Sequence, residues 1–155
     1  MFKPLKSLLL LGFLAPAVLA EPASRFVLED AWVRALPPGQ PNTAAYVTVI
    51  NRSAQPVKIT GGSAQLAGRV EVHTTREVDG YTRMEHLPVL DIGPRTSVSL
   101  SPGGIHLMLF GLERMPAPGE TVELCLSEAS GEQACTTAAV KKSAGASGHD
   151  HHQHH

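Results

Sequence analysis

Alternation of apolar and polar residues dominates the chain from residue 26 to residue 140. Successive side chains of a β-strand point to opposite faces of a sheet, so this period of two predicts strands that bury one face. Nine segments follow the pattern, at residues 25–35, 44–51, 55–62, 68–75, 81–90, 96–104, 105–112, 121–128 and 133–141. No segment has the sustained 3.6-residue period and capping residues of a helix. The pattern predicts an all-β protein.

Turn-forming residues separate these segments. The connections include PPGQPN at 37–42, VDGY at 78–81 and SPGG at 101–104, which combine Gly, Pro, Asn, Asp and Ser. Short strands joined by such turns are typical of antiparallel sandwiches and barrels. We therefore expect one domain over residues 21–140, folded as an antiparallel β-barrel or sandwich.

Residues 1–20 have the three-part layout of a secretory signal peptide. Lys3 and Lys6 precede an apolar run, and Val18-Leu19-Ala20 presents small residues for cleavage. The run is shorter than the roughly 20 residues that span a bilayer, and Pro16 interrupts it. No cysteine follows that could accept a lipid. The sequence predicts an exported, periplasmic protein that does not span the membrane.

Charge and composition narrow the classes of function. The full chain has a formal net charge of −1, which becomes −3 when the two leader lysines are removed. Since there is no basic stripe, nucleic acid is not an expected partner. No activated nucleophile or paired acid and base stands out, so we expect a binding protein rather than an enzyme.

The C-terminal segment 141–155 differs in character from the rest of the chain. It is small, polar and histidine-rich, which predicts a disordered tail. Imidazole-rich flexible chain suits Cu(II), with weaker binding of Ni(II) and Zn(II). An expression tag is the alternative, although Asp150 and Gln153 interrupt the histidines. The tail histidines that could capture Cu(II) are His149, His151, His152, His154 and His155.

The chain contains two cysteines, Cys125 and Cys135, on either side of a polar turn near Ser130. Two strands flanking this turn would place the two sulfur atoms across a hairpin. In an oxidising compartment this arrangement favours a structural disulfide. The alternative is a pair of thiolates that binds copper, although the spacing differs from the usual Cys-x-x-Cys.

A second hairpin is predicted around Asp79-Gly80, which is a strong two-residue turn signal. With these residues as the turn, paired residues have numbers that sum to 159. His73 then lies opposite His86, and Thr75 lies opposite Met84. His73 and Met84 become diagonal neighbours on one face, about 7–8 Å apart at their Cα atoms.

His106 and Met108 lie two positions apart in GGIHLMLF (103–110), so they share one face of their strand. If this strand lies beside the predicted hairpin, two imidazoles and two thioethers come together. Thioether and imidazole ligands suit Cu(I) and are poor ligands for Mg, Ca or Mn. Zinc prefers thiolate, imidazole and carboxylate ligands. The pattern therefore predicts a copper site, against the alternative that the methionines are core residues.

The spacing of these four residues resembles that of the periplasmic Cu(A) chaperone (PCuAC) family. That family carries a histidine, ten residues, a methionine, twenty-one residues and then His-x-Met, which matches His73, Met84, His106 and Met108 here. AWVRA (31–35), AAYVTVIN (44–51) and PGGIHLMLFGL (102–112) also resemble family landmarks. The resemblance implies a cupredoxin-like β-barrel that binds Cu(I) through these four side chains. It also implies delivery of copper for assembly of the CuA and CuB centres of cytochrome c oxidase.

Several expectations accompany this resemblance. The recipient would be a cytochrome c oxidase subunit or a Sco-type assembly protein, and the chain would be a monomer. His86 is not part of the family motif, so it is a candidate auxiliary or transfer ligand. Copper sequestration for tolerance would use the same four ligands and is the alternative function. Electron transfer through a blue-copper site would require a cysteine thiolate beside two histidines.

Overall fold

A computed structural model describes residues 24–144 of the chain. Within this range the chain forms ten strands and no helix, and the all-β architecture predicted from the alternation is confirmed. The predicted leader at 1–20 and the histidines of the tail lie outside the described residues. The strands are β1 (Phe26–Arg34), β2 (Thr43–Asn51), β3 (Val57–Ala64), β4 (Arg69–Val78), β5 (Tyr81–His86), β6 (Leu90–Ile92), β7 (Ser97–Leu100), β8 (His106–Phe110), β9 (Thr121–Glu128) and β10 (Gln133–Lys141).

Seven of these strands close into a barrel. The hydrogen-bonded order is β4-β8-β2-β1-β10-β9-β3, and β3 pairs again with β4 to complete the circle. Strand β5 lies outside β4, β6 lies outside β3, and β7 pairs with β2 beyond β8. Closure leaves few free edges, and β5 is the strand that extends the barrel wall on the β4 side.

Gly62 makes this closure possible. It pairs with Leu126 of β9 and with Val70 of β4, so it lies where three strands meet. A Cβ atom at this position would lie 2.1 Å from the carbonyl oxygen of Cys125, which is closer than any real contact. Only glycine therefore allows β3 to bridge its two neighbours at this point.

The barrel interior holds the inward-facing residues of every wall strand. On β4 and β8 these are Val70, Val72, Leu107 and Leu109, which are almost completely buried. Alternate residues of the same strands face outward, so burial of this apolar set determines which side chains lie on the outer surface of the barrel. The candidate ligands His73, His106 and Met108 belong to the outward set.

Two details of the sheet differ from the sequence-based expectation. Strands β1 and β10 pair in parallel, with Trp32 beside Ala139, whereas we expected antiparallel pairing throughout. Barrel closure makes the first and last wall strands neighbours, and alternation alone carries no information on their direction. Segment 81–90 is expected to form one strand, but β5 ends at His86 and β6 begins only at Leu90, because Pro88 between them has no N–H to donate to a neighbouring strand.

The predicted pairing of the two cysteines is confirmed. Cys125 and Cys135 lie directly opposite each other on β9 and β10 and form a disulfide. The alternative of a copper-binding thiolate pair is therefore wrong for this oxidised fold, because both sulfur atoms are already bonded to each other.

Glu132 holds the start of β1 against the β9–β10 turn. Its Oε1 accepts a hydrogen bond from the Ser24 hydroxyl at 2.7 Å and another from the Arg25 N–H at 2.6 Å. Next to it, the Arg25 guanidinium lies 3.1 Å from Glu128. The hydrogen bonds from Ser24 and Arg25 lower the pKa of Glu132 below its ordinary value of 4.5. This cluster anchors the N-terminal end of the described chain.

The Glu132 contacts predict a pH-dependent contribution to stability. Because the pKa is lowered in the folded state, the stabilisation is present at neutral pH and is lost as the pH falls below the ordinary range. We expect Glu132→Gln to reduce the free energy of unfolding by about 1–2 kcal/mol at pH 7 and to have a smaller effect at pH 3. Urea unfolding at both pH values measures this, with the exposed Glu123→Gln as the matched control. An equal loss at both pH values would contradict the carboxylate's role.

Candidate metal centre

The β4–β5 hairpin has the register that its turn predicts. Asp79 and Gly80 form the turn, with φ angles of 53° and 78° that suit a tight connection between twisted strands. All six residue pairs of the hairpin have numbers that sum to 159. His73 therefore lies opposite His86, and Met84 lies opposite Thr75, as predicted.

Strand β8 lies on the other side of β4 and completes the cluster. His106 lies directly opposite His73, and Met108 lies opposite Glu71. Three histidines consequently form a row across β5, β4 and β8 on the outer face of the barrel wall. The ring centroid of His73 lies 5.4 Å from that of His86 and 6.2 Å from that of His106.

The two methionines flank this row on opposite sides. Met108 is half-buried beside Glu71, whereas Met84 is 54% exposed on the edge strand. Their Cα atoms are two strands apart across the sheet and four residues apart along it, which corresponds to roughly 16–17 Å on a flat sheet. The fold brings each methionine beside His73, but the two thioethers meet only if the β4–β5 hairpin curls toward β8. The hairpin is placed for such a movement, since β5 is paired on one side only and all six of its residues are exposed.

His106 is held by a backbone carbonyl. Its Nδ1 lies 2.9 Å from the carbonyl oxygen of Gly104, which also accepts a hydrogen bond from the Thr75 N–H at 3.3 Å. A carbonyl can only accept, so Nδ1 carries the proton and Nε2 keeps its lone pair. The ring is almost fully buried and therefore has a fixed orientation.

His73 is held by a carboxylate. Its Nε2 lies 2.9 Å from Oε2 of Glu71, two residues earlier on the same face of β4. The other ring nitrogen, Nδ1, is buried and has no hydrogen-bond partner among the residues that the structure describes. The ring of Phe110 lies 5.8 Å away and closes one side of the site.

Glu71 has two cationic or proton-donating neighbours. The hydrogen bond with His73 is the largest influence on its carboxyl group and, together with the charge of Arg69, lowers the pKa of Glu71. The Arg69 Nε lies 2.8 Å from Oε1, and the Arg69 guanidinium lies 4.7 Å from the centre of the Phe110 ring. Glu71 is therefore an ionised, oriented acceptor at neutral pH. Sequence reasoning missed it, although its position two residues before His73 on an alternating strand is the signal that could have revealed it.

Within residues 24–144, no three histidine, cysteine, aspartate or glutamate side chains are arranged to hold a metal ion together. What the arrangement offers is a pair of neighbouring imidazoles with a thioether on either side. Such a ligand set suits a soft monovalent ion.

Comparison with known protein families supports the assignment of the fold as a cupredoxin-like barrel. Residues 26–140 match the model of the LpqE-like family, which is named for a lipoprotein. Lxx21020 of Leifsonia xyli subsp. xyli (strain CTCB07), which also carries a lipoprotein name, is 28% identical over 120 residues. That match covers 77% of this chain and 71% of the relative.

Solved structures with the same fold are PCuAC domains. The copper-bound PCuAC domain of PmoF2 has a TM-score of 0.63 at 21% identity, over 78% of this chain and 96% of that domain. The Cu(I) form of DR1885 from Deinococcus radiodurans has a TM-score of 0.58 at 39% identity, over 72% of this chain and 75% of DR1885. Apo-DR1885 has a TM-score of 0.57 at 33% identity, over 88% and 97% of the two chains.

The family match spans most of the chain, and the identity to DR1885 exceeds that expected of fold likeness alone. Both results agree with the closed barrel. This chain is a member of the LpqE-like family and has a domain of the PCuAC type.

Proposed function

We propose that this protein is an exported copper chaperone that binds one Cu(I) ion through His73, Met84, His106 and Met108. The observation that carries the proposal is the pairing of His73 with His106 on the outer face of the barrel, with a methionine on either side. The similarity to DR1885, which has been solved with Cu(I), supports the same metal. Neutral ligands bind without first losing a proton from a thiol, which favours later release.

The accessibility of the ligands favours delivery to a partner. His106 is buried, His73 is largely buried, Met108 is half-buried and Met84 is exposed on an edge strand. In our proposal the hairpin curls over the bound ion and Met84 is the last ligand to bind. A recipient can then replace Met84 first and the buried histidines afterwards. We infer that this recipient is a cytochrome c oxidase subunit or a Sco-type assembly protein.

Export to the periplasm accords with the leader-like residues 1–20, the lipoprotein names of the relatives and the disulfide. The described residues 24–144 hold no helix of the length and apolarity that crossing a membrane requires. The same disulfide disfavours blue-copper electron transfer, since neither cysteine is free to provide a thiolate. We therefore propose binding and transfer, without catalysis.

Replacing single methionines tests the site. We expect Met108→Ala to lower Cu(I) affinity by about 100-fold and Met84→Ala by about tenfold, a difference of about 1.4 kcal/mol that reflects the cost of curling the hairpin. Titration against a competing Cu(I) chelator measures both affinities, and X-ray absorption counts the sulfur ligands. Met115 is the remaining methionine after the initiator and lies outside the site, so Met115→Ala is the matched control.

Two outcomes of this titration would contradict the ligand assignment. One is unchanged affinity in both Met84→Ala and Met108→Ala, and the other is an X-ray absorption spectrum without sulfur. The same titration examines His86, which we propose as an auxiliary or transfer ligand because its ring lies beside that of His73. A His86→Ala protein with unchanged coordination, affinity and transfer rate would exclude that role.

A deletion strain distinguishes delivery from sequestration. If the protein delivers copper, loss of the gene reduces cytochrome c oxidase activity at low copper, and added copper restores it. Complementation with the Met115→Ala chain restores activity, whereas the Met108→Ala chain does not. Normal oxidase activity combined with sensitivity to high copper would instead establish sequestration by the same site.

We propose that the C-terminal histidines capture Cu(II), which reaches the folded site as Cu(I) after an external one-electron donor, such as a small-molecule thiol, has reduced it. Deletion of residues 149–155 removes five imidazoles and is expected to abolish the additional Cu(II) uptake. Cu(I) affinity of the folded site is expected to remain unchanged in the same protein. Equilibrium dialysis with each oxidation state measures both quantities. Equal Cu(II) uptake by the shortened and full-length chains would end the proposal.

A further inference from the structure

The two histidines of the proposed copper site are hydrogen-bonded through opposite ring nitrogens. His106 uses Nδ1 toward the Gly104 carbonyl, whereas His73 uses Nε2 toward the Glu71 carboxylate. An ionised carboxylate only accepts hydrogen bonds, so the proton of neutral His73 lies on Nε2. The lone pair of His73 is consequently on Nδ1, and that of His106 is on Nε2.

The Nδ1 atom of His73 is the unusual feature. It is buried, and no hydrogen-bond donor within residues 24–144 reaches it. Buried polar atoms nearly always have a partner, because an unpaired one loses its interaction with water and gains nothing in return. The rings around His73 belong to His86, His106 and Phe110, and their centroids lie 5.4–6.2 Å from the centroid of the His73 ring. A buried lone pair beside a second imidazole is suited to a metal ion.

The Glu71 carboxylate has contacts on both of its oxygens that suit this role. Arg69 binds its other oxygen at 2.8 Å and lies over the Phe110 ring at 4.7 Å from its centre. Glu71 and His73 are two residues apart on one face of β4, and Met108 lies across the strand pair from Glu71. Metal-binding histidines typically donate their second ring N–H to a carboxylate or a backbone carbonyl, which fixes the tautomer and raises ligand basicity. Glu71 and Gly104 supply one acceptor of each kind.

We propose that Glu71 is a positioning residue that fixes His73 in the Nε2–H tautomer, so that Nδ1 is the nitrogen that binds copper. His106 binds through Nε2. This inference rests on the proposed function, but it concerns the choice of ligand atom and the residue that imposes it. Glu71 does not itself contact the ion.

The tautomer can be measured without any metal. Long-range ¹H–¹⁵N correlation spectra of the apo protein distinguish a protonated Nε2 from a protonated Nδ1. We expect wild-type His73 to show Nε2–H, Glu71→Leu to show a mixture of tautomers, and Glu71→Gln to retain the wild-type pattern, since its amide oxygen still accepts. Glu77→Leu, which removes an exposed carboxylate farther along β4, is the matched control.

Copper binding provides the second measurement. On Cu(I) loading the ¹⁵N resonance of His73 Nδ1 shifts while the Nε2–H signal persists. Glu71→Leu is expected to lower Cu(I) affinity by about 10- to 100-fold, with partial recovery in Glu71→Gln and no change in Glu77→Leu. Thermal unfolding of each apo protein shows whether the loss of affinity is separate from a loss of stability.

Two results would overturn the assignment of Glu71. One is an apo His73 with its proton on Nδ1, and the other is an unchanged tautomer and affinity in Glu71→Leu. Either would leave the proposed function intact if wild type binds Cu(I) and Met108→Ala weakens binding. Failure of wild type to bind Cu(I) would instead refute the proposed function, whereas the apo spectra would still report on Glu71 and His73.

Discussion

The register of β4 against its two neighbours is the constraint on which the candidate site depends. Val70 and Val72 of β4 pack inward with Leu107 and Leu109 of β8, so the residues between them must face outward. A shift of one residue in the register would place His73 in the core and expose a valine to solvent. The barrel would then lose the stabilisation that comes from burying its apolar side chains. The core thus fixes the position of the imidazoles, although none of its residues has metal chemistry.

Much of the site could be predicted because its two halves are local in sequence. The Asp79-Gly80 turn sets the register of the β4–β5 hairpin, and alternation alone places His106 and Met108 on one face. The pairing of β4 with β8 joins segments more than thirty residues apart, and only barrel closure determines it. For the same reason the parallel β1–β10 pair was not foreseen. Glu71 was missed because carboxylates are common on exposed strand faces, and its role depends on the His73 rotamer.

The exposure of the proposed ligands increases from β8 to β5. His106 belongs to a wall strand paired on both sides, whereas Met84 belongs to an edge strand held by β4 alone. Local opening costs least where few buried contacts must be broken, so we expect the proposed ligand on β5 to exchange most easily. A site intended for permanent storage would gain from burying all of its ligands. The gradient observed here is suited to stepwise transfer.

The charge of the proposed copper site explains why a carboxylate is hydrogen-bonded to one of the proposed ligands and does not contact the ion itself. Two imidazoles and two thioethers are neutral, so a bound Cu(I) would bring an uncompensated positive charge to a largely buried position, which is unfavourable. A carboxylate in direct contact would offset that charge, but it would also make the site more suitable for harder ions. The ionised Glu71 is hydrogen-bonded to His73, so its negative charge can raise the electron density of the imidazole. The side chains that contact the ion then remain soft ligands. Selectivity and charge balance are then supplied by different residues, and Glu71 shares its strand with only one of the four proposed ligands.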